Sequence, residues 1–512
     1  SMKSRTKYAM NRSVDPCRDF YKFACGGWIS KNPIPQSQTS WDQLSLLKER
    51  LLKDLRILLE ESDDGNDLRS VKLIEQTSPG FSERYLLDSS RFQSELMEYK
   101  NYIESMIELA GAGNRSTEFA NEILNFSTNI ARVSIHRIIF THENTLTIKL
   151  DKRFVLHDFL LSGDCYMYNY GKYVERNKAR IDGFQALEML LDIKAAFEQM
   201  VAELDWMDAE TRARAHRKLH AIRPFVGIPD WITNSTKLEK FYEQVSYLSL
   251  NLGQCEIQDA ILLQKNVVPG RLFDTFLMLT DATVKKSLNS LREKPDKNRW
   301  ISTGTTVNAF YSAILNSVTF PAGILHPPFY GNGLQSINYG AMGAIMGHEL
   351  THGFDDQGSR RYDENGNLQQ WWSNETLQHY HEKVECIIKQ YGSYHLPELG
   401  NDNNFTGENI ADNGGIREAY KAYQLFRTRN SHRLTLPGLA NYSQEQLFFI
   451  GFAQVWCGSY TNGALKSKLI QGVHAPNHFR VIGTLSNNAD FAKAWNCPVE
   501  SPMNPSRKCI LW

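Results

Sequence analysis

Residues 347–353 read Gly347-His348-Glu349-Leu350-Thr351-His352-Gly353 and follow an apolar run from Ala341 to Met346. On a helix, His348 and His352 lie one turn apart on one face. That spacing suits two positions of a tetrahedral zinc site, with Glu349 beside them as a carboxylate able to take a proton from water. The apolar run and Phe354 place the helix inside the protein. The stretch therefore predicts a buried metal helix and a hydrolase, and it requires a third ligand elsewhere.

Thr406-Gly407-Glu408-Asn409-Ile410-Ala411-Asp412-Asn413-Gly414-Gly415 offers that ligand. Glu408 and Asp412 are four apart and face the same way. Glu408 completes a His2Glu set that leaves one position open, and Asp412 can accept the free ring N–H of a ligating histidine. Asp355 and Asp356 are further candidates for that supporting role. A solvated acidic helix face is the competing reading; Ile410, Ala411 and the glycine pair, which implies close packing, argue against it.

Composition narrows the rest. The 57 basic and 57 acidic residues cancel over 512 residues, 42% of them hydrophobic. No nucleic-acid partner is implied by such a balance. The length exceeds what one core holds, so at least two lobes are expected. No run approaches a membrane span. Eight cysteines lack paired CxxC units, which disfavours a structural zinc site but leaves disulfides and free thiols both open. Seven sequons, at Asn11, Asn114, Asn125, Asn234, Asn374, Asn404 and Asn441, favour a glycosylated chain in an oxidising compartment.

Along the chain, helical periodicity dominates. Asp15 to Trp28 reads as a short aromatic helix ended by Gly26-Gly27. A leucine stripe at Leu44, Leu47, Leu51, Leu55 and Leu58 marks a helix after Pro35. Phe81 to Ala112 and Glu118 to Arg132 read as helices, and Ile139 to Arg153 is ambiguous. Phe184, Leu187, Leu191, Phe197, Met200 and Leu204 mark another helix. Asp208 caps a second one that stops before Pro224. Pro229 to Lys237 is a loop, and Leu238 to Arg292 is mainly helical. Ser302 to Tyr311 and Ser317 to Leu325 are β-like. A short strand beside a zinc helix can pair with an extended peptide; the plain alternative is a structural hairpin.

The motifs HELTHGFDD, GENIADNGG, VNAFY and FPAGILHPPF, with DPCRDFYKFACGGW, VWCGSY and MNPSRKCILW near the ends, resemble the neprilysin / endothelin-converting-enzyme family of zinc metallopeptidases. The resemblance runs from Asp15 to Trp512. It implies a mainly α fold of two helical lobes enclosing a central cavity, with a thermolysin-like catalytic lobe that carries a small β-sheet. The catalytic lobe would comprise residues 1–35 and 285–512, and residues 36–284 would form the covering lobe. A type II ectodomain at the extracellular face is implied, with a membrane anchor upstream of this chain. The implied activity is cleavage of oligopeptides on the amino side of bulky hydrophobic residues.

Residue by residue, the resemblance makes His348, His352 and Glu408 the ligands of one Zn2+, Glu349 the general base, and Asp412 the partner of a ligand histidine. Asn308 and Ala309 would hold the substrate as an added strand. His474 would stabilise the transition state and Arg480 a substrate carbonyl, tasks an N–H-donating imidazole and a guanidinium can perform. Ile324, Phe329, Ala344, Ile345, Val455 and Trp456 would line the side-chain pocket, made roomier by the small Ala344. Disulfides are implied at Cys17–Cys497, Cys25–Cys457 and Cys386–Cys509, leaving Cys165 and Cys255 unassigned. Two departures stand out. Thr39-Ser40-Trp41 lacks an arginine that neprilysin uses for a terminal carboxylate, so endopeptidase action is expected. The chain is also shorter than the family's ectodomain around 63–79 and 140–164. A catalytically idle binding ectodomain is the alternative, but every catalytic position is filled.

Overall fold

The computed structural model describes residues 2–60, 93–109, 116–124, 183–233, 236, 288, 291–292, 294–331, 333–355, 361–394, 406–430 and 439–512. The chain divides into two compact units, Ser1–Lys72 with Ser162–Trp512, and Leu73–Leu161. This division does not coincide with the expected lobe boundaries at 35 and 285. Within the smaller unit, α4 (Gln93–Leu109) and a helical stretch over 116–124 are described.

The larger unit is mainly helical. It opens with α1 (Met2–Ala9), α2 (Phe20–Lys31), β1 (Ser40–Asp42) and α3 (Gln43–Glu60). Asp19 caps α2 by accepting from the Lys22 N–H at 2.9 Å. The glycine pair does not end this helix, as the sequence suggested. It lies within it, because a β-carbon on Gly27 would stand 2.5 Å from the Met10 carbonyl. The pair admits the incoming chain rather than breaking the helix.

Next come α5 (Gly183–Glu203), α6 (Ala209–Ala221) and β2 (Arg223–Gly227). The buried face of α5 carries Ala186, Leu190, Ile193, Phe197 and Val201, whereas Phe184 and Leu191 are 71% and 50% exposed. The stripe read from the largest residues was thus rotated, since alanines carry part of the contact face. Asp208 caps α6 through the Thr211 N–H and also accepts from Ser373 and Thr376. One carboxylate thereby ties α6 to α9 (Asn374–Gly392), whose own cap is Ser373.

The expected β region contracts to β3 (Phe310–Ser312) and β4 (Ser317–Pro321). The wholly buried β4 is central, pairing parallel with β2 and antiparallel with β3. Pro224 sits in β2 at the sheet edge, where a missing N–H is tolerated. A short α7 (Gln335–Asn338) passes through a π-turn, Tyr339–Gly343, into α8 (Ala344–His352). The turn is pressed against α11 (Gln444–Gln454): no side chain fits at Gly340 beside the Phe448 carbonyl.

The long α10 (Thr406–Arg429) crosses α8, and α5 packs on both. After α11 follow β5 (Gly458–Tyr460), α12 (Asn462–Gln471), α13 (Asn477–Ser486) and α14 (Ala489–Trp495). β5 pairs antiparallel with β1. Disulfides join Cys17 to Cys497, Cys25 to Cys457 and Cys386 to Cys509, the pairs implied by the resemblance. The Trp512 ring closes the core among Phe197, Trp206, Phe354 and Trp372. Cys165, Cys255, Asp356 and the stretch 139–153 lie outside the described residues, as do most of 238–292 and parts of the helices expected over 81–112 and 118–132.

Candidate metal centre

The site forms where α8 and α10 touch. A β-carbon on Gly347 would stand 2.5 Å from the Gly415 carbonyl, and one on Gly415 would stand 2.7 Å from the Ala344 carbonyl. Backbone-to-backbone contact brings the ligand-bearing turns of both helices together. His348, His352 and Glu408 each offer one ligand atom, all within 4.8 Å of one another.

Two carboxylates set the histidine tautomers. His348 Nδ1 donates to Asp412 at 2.9 Å, and His352 Nδ1 donates to Asp355 at 2.5 Å. Both Nε2 lone pairs then point inward, only 3.0 Å apart. Glu408 Oε2 lies 3.1 Å from His348 Nε2 and 3.5 Å from His352 Nε2. Although buried, that oxygen receives no hydrogen bond of acceptable geometry. Three converging acceptors around one point need a shared cation, and a His2Glu set with oriented imidazoles fits zinc.

The electrostatics favour positive charge at this point, carried by a proton on the ring or by a metal in its place. Burial opposes charge on His352, yet Asp355 and Glu408 hold it well above the ordinary histidine range. Burial likewise works against the Glu408 carboxylate, but contacts with His348, His352 and His474 hold it far below the usual range. The pocket gathers positive charge. Burial pushes the Glu349 carboxyl up, against the pull of the two histidines.

The remaining expected residues fall into four groups. His474 and Arg480 join the cluster. His474 Nε2 is 2.9 Å from Glu408 Oε2, and burial with the nearby Arg480 charge pushes its pKa down to about 4, so the ring is neutral. Arg480 donates through Nε and Nη2 to both oxygens of Asp412, at 2.7 and 2.6 Å, and lies over the Trp456 ring at 3.8 Å. Ile324, Phe329, Ala344, Ile345, Val455 and Trp456 are all buried, and Trp456 meets the polar cluster through Arg480. Asn308 is exposed and Ala309 buried, immediately before the edge strand β3. Of the sequons, Asn11, Asn374 and Asn441 are exposed; Asn114, Asn125, Asn234 and Asn404 lie outside the described residues.

Sequence reasoning missed Glu418, a fully buried carboxyl that contacts Thr351 between the two histidines. Its signal was weak: one acid at a core-facing position of α10.

This ligand set on this fold defines a zinc metalloendopeptidase. Two profiles described as "Peptidase family M13" match residues 308–511 and residues 16–77 with 166–229, and the chain belongs to that family. It is 44% identical over 329 residues to an endothelin-converting enzyme homolog of Locusta migratoria, covering 64% of this chain and 42% of that protein. The match thus spans less than half of that relative. Endothelin-converting enzyme 1 of Cavia porcellus is 28% identical over 689 positions, covering all of this chain and 88% of that one. Since 689 positions exceed 512 residues, that relative carries internal segments this chain lacks. Among solved structures, a zinc metalloprotease of Mycobacterium tuberculosis shares the fold, with a TM-score of 0.74 at 20% identity over 98% of both chains. Among the described residues, no helix is long and apolar enough to cross a membrane.

Proposed function

We propose that this chain hydrolyses oligopeptides on the amino side of bulky hydrophobic residues, using one Zn2+ held by His348, His352 and Glu408. The observation that carries the reading is the convergence of both Nε2 atoms on Glu408 Oε2, with each Nδ1 fixed by a carboxylate. Zinc at such a site polarises a carbonyl and acidifies water.

The protein's own groups do the rest. Glu349, 7% exposed in the core, takes a proton from the attacking water as its oxygen bonds to the peptide carbon. It returns that proton to the amine nitrogen as the C–N bond breaks. His474, neutral, donates an N–H to the developing oxyanion. Arg480, anchored on Asp412 through Nε and Nη2, has Nη1 outside that pair to brace a substrate carbonyl. The free side of β3, with Asn308 and Ala309 at its start, receives the peptide as an added strand. The pocket residues hold the hydrophobic side chain. The exposed sequons and end-to-end disulfides favour an oxidising, extracellular compartment.

Glu349→Gln tests the mechanism. It should keep stoichiometric zinc and lose nearly all peptide cleavage; retained cleavage, or cleavage by the parent protein that survives a chelator, refutes it. The idle-ectodomain alternative has no observation in its favour, because the ligands and their supports are complete.

A further inference from the structure

Among the described residues, four carboxyl groups belong to the buried set: Glu349, Asp355, Asp412 and Glu418. The first three serve the metal centre. Glu418 is 0% exposed and lies on α10, ten residues beyond Glu408. Its Oε1 is 2.7 Å from Thr351 Oγ1, while its Oε2 has no hydrogen-bond partner. Thr351 Oγ1 is in turn 2.8 Å from the Gly347 carbonyl. The neighbouring Arg417 directs Nη1 to the main-chain oxygen of Trp512.

A proton count decides the chemistry. Thr351 has one hydroxyl hydrogen. If Glu418 were ionised, the Gly347 carbonyl and the Glu418 carboxylate would compete for it, and a buried anion would stand unpaired. If Glu418 is a carboxylic acid, its O–H donates to Thr351 Oγ1, and Thr351 donates to Gly347. Each proton then has one acceptor.

We propose that Glu418 is a positioning residue of the metal centre, acting as a neutral acid that clamps Thr351 and so fixes α8 against α10. The clamp holds Thr351 next to His352 and reaches Gly347 next to His348, while its own helix carries Glu408 and Asp412. It therefore registers the histidine ligands against the carboxylate ligand. Gly414 supports this seat, since a β-carbon there would stand 2.7 Å from Thr351 Oγ1. Burial drives the Glu418 pKa well above the carboxylate range, against Thr351 and the field of Arg417.

The inference rests on the zinc reading, and its test separates the two. Zinc retention against a competing chelator, kcat, KM and metal-free thermal unfolding are measured for Glu418→Gln, Glu418→Leu, Thr351→Val and Thr351→Ser. Glu418→Gln can still donate to Thr351, and Thr351→Ser keeps the hydroxyl, so both should stay within about twofold of the parent. Glu418→Leu and Thr351→Val should each weaken zinc retention by roughly tenfold, as loss of ligand-supporting contacts does. Both should lower kcat with KM unchanged. If Glu418→Leu fails to fold, the two Thr351 variants decide.

The Tm of Glu418→Gln minus that of the parent should grow between pH 5 and pH 8. A buried acid with a raised pKa stabilises the parent at low pH, and that contribution is lost as pH rises. A flat difference overturns the neutral acid, as does equal damage from Gln and Leu. Leu and Val variants that lose Tm but keep zinc retention and kcat reduce Glu418 to a packing role and overturn the proposal. A parent protein that binds no zinc refutes the proposed function instead.

Discussion

Arg480 holds Asp412 by two parallel hydrogen bonds while the same carboxylate takes the Nδ1–H of His348. The pair is buried, with Arg480 6% and Asp412 4% exposed. Burial favours protonated Asp412, but Arg480 and His348 outweigh it and hold its pKa down at about 2. Asp412→Ala should therefore act twice. It frees the His348 ring, weakening zinc by about 10–100-fold. It also strands a buried guanidinium, costing about 3–5 kcal/mol of stability. Chelator competition and denaturant unfolding read the two effects separately; a change in only one contradicts the shared role.

The contact between Gly347 and Gly415 leaves no room for a methyl group. Gly347→Ala should lower stability by about 1–3 kcal/mol, as overpacking does. Zinc retention should fall with it, because the two ligand helices are pushed apart. Gly463→Ala is the control. Nothing lies within 4 Å of a β-carbon there, so thermal unfolding should be unchanged or slightly raised.

Lys218 is 1% exposed, donates to the Tyr362 carbonyl at 2.6 Å and lies near the Phe354 and Trp371 rings. Burial pushes its pKa down to about 7, against the fields of Asp355, Asp363 and Glu364. Between pH 7 and the unfolded value of 10.5, the unfolded chain binds the additional proton, so stability rises with pH. The slope approaches about 1.4 kcal/mol per pH unit at most. Lys218→Met should remove this rise. Urea midpoints at pH 7, 8.5 and 10 check it; parallel curves for parent and variant would show an ordinary lysine.

Ala344 is 4% exposed at the start of α8. Its small side chain should let the pocket accept Phe, Leu or larger groups after the scissile bond. Ala344→Leu should shift cleavage toward smaller residues, lowering kcat/KM for Phe by roughly tenfold or more. A peptide library scored by cleavage position would expose the opposite order, with Ala preferred over Phe.

The metal centre was legible because its parts are local: His348 and His352, like Glu408 and Asp412, are each four residues apart on a helix. Gly414-Gly415 announced the close crossing, and Asp208 announced its cap. What stayed hidden depends on contacts between distant segments. The strand β2 is short and contains Pro224, so only its pairing with β4 reveals it. Phe184 and Leu191 suggested a face of α5 that the packing does not use. Gly26-Gly27 resembled a stop until Met10 was found against it. Glu418 gains meaning only from Thr351, 67 residues away.

The cross-links from Cys17 to Cys497 and from Cys25 to Cys457 span 480 and 432 residues. Their consequence lies in biosynthesis. A ribosome releases His348, His352 and Glu408 well before Arg480, which steadies Asp412, and before Cys457 and Cys497, which capture Cys25 on α2 and Cys17 just ahead of it. The nascent chain thus carries its ligands and their carboxylate partners before Arg480 is present to steady Asp412. Both cross-links can close only after Cys457 and Cys497 have left the ribosome.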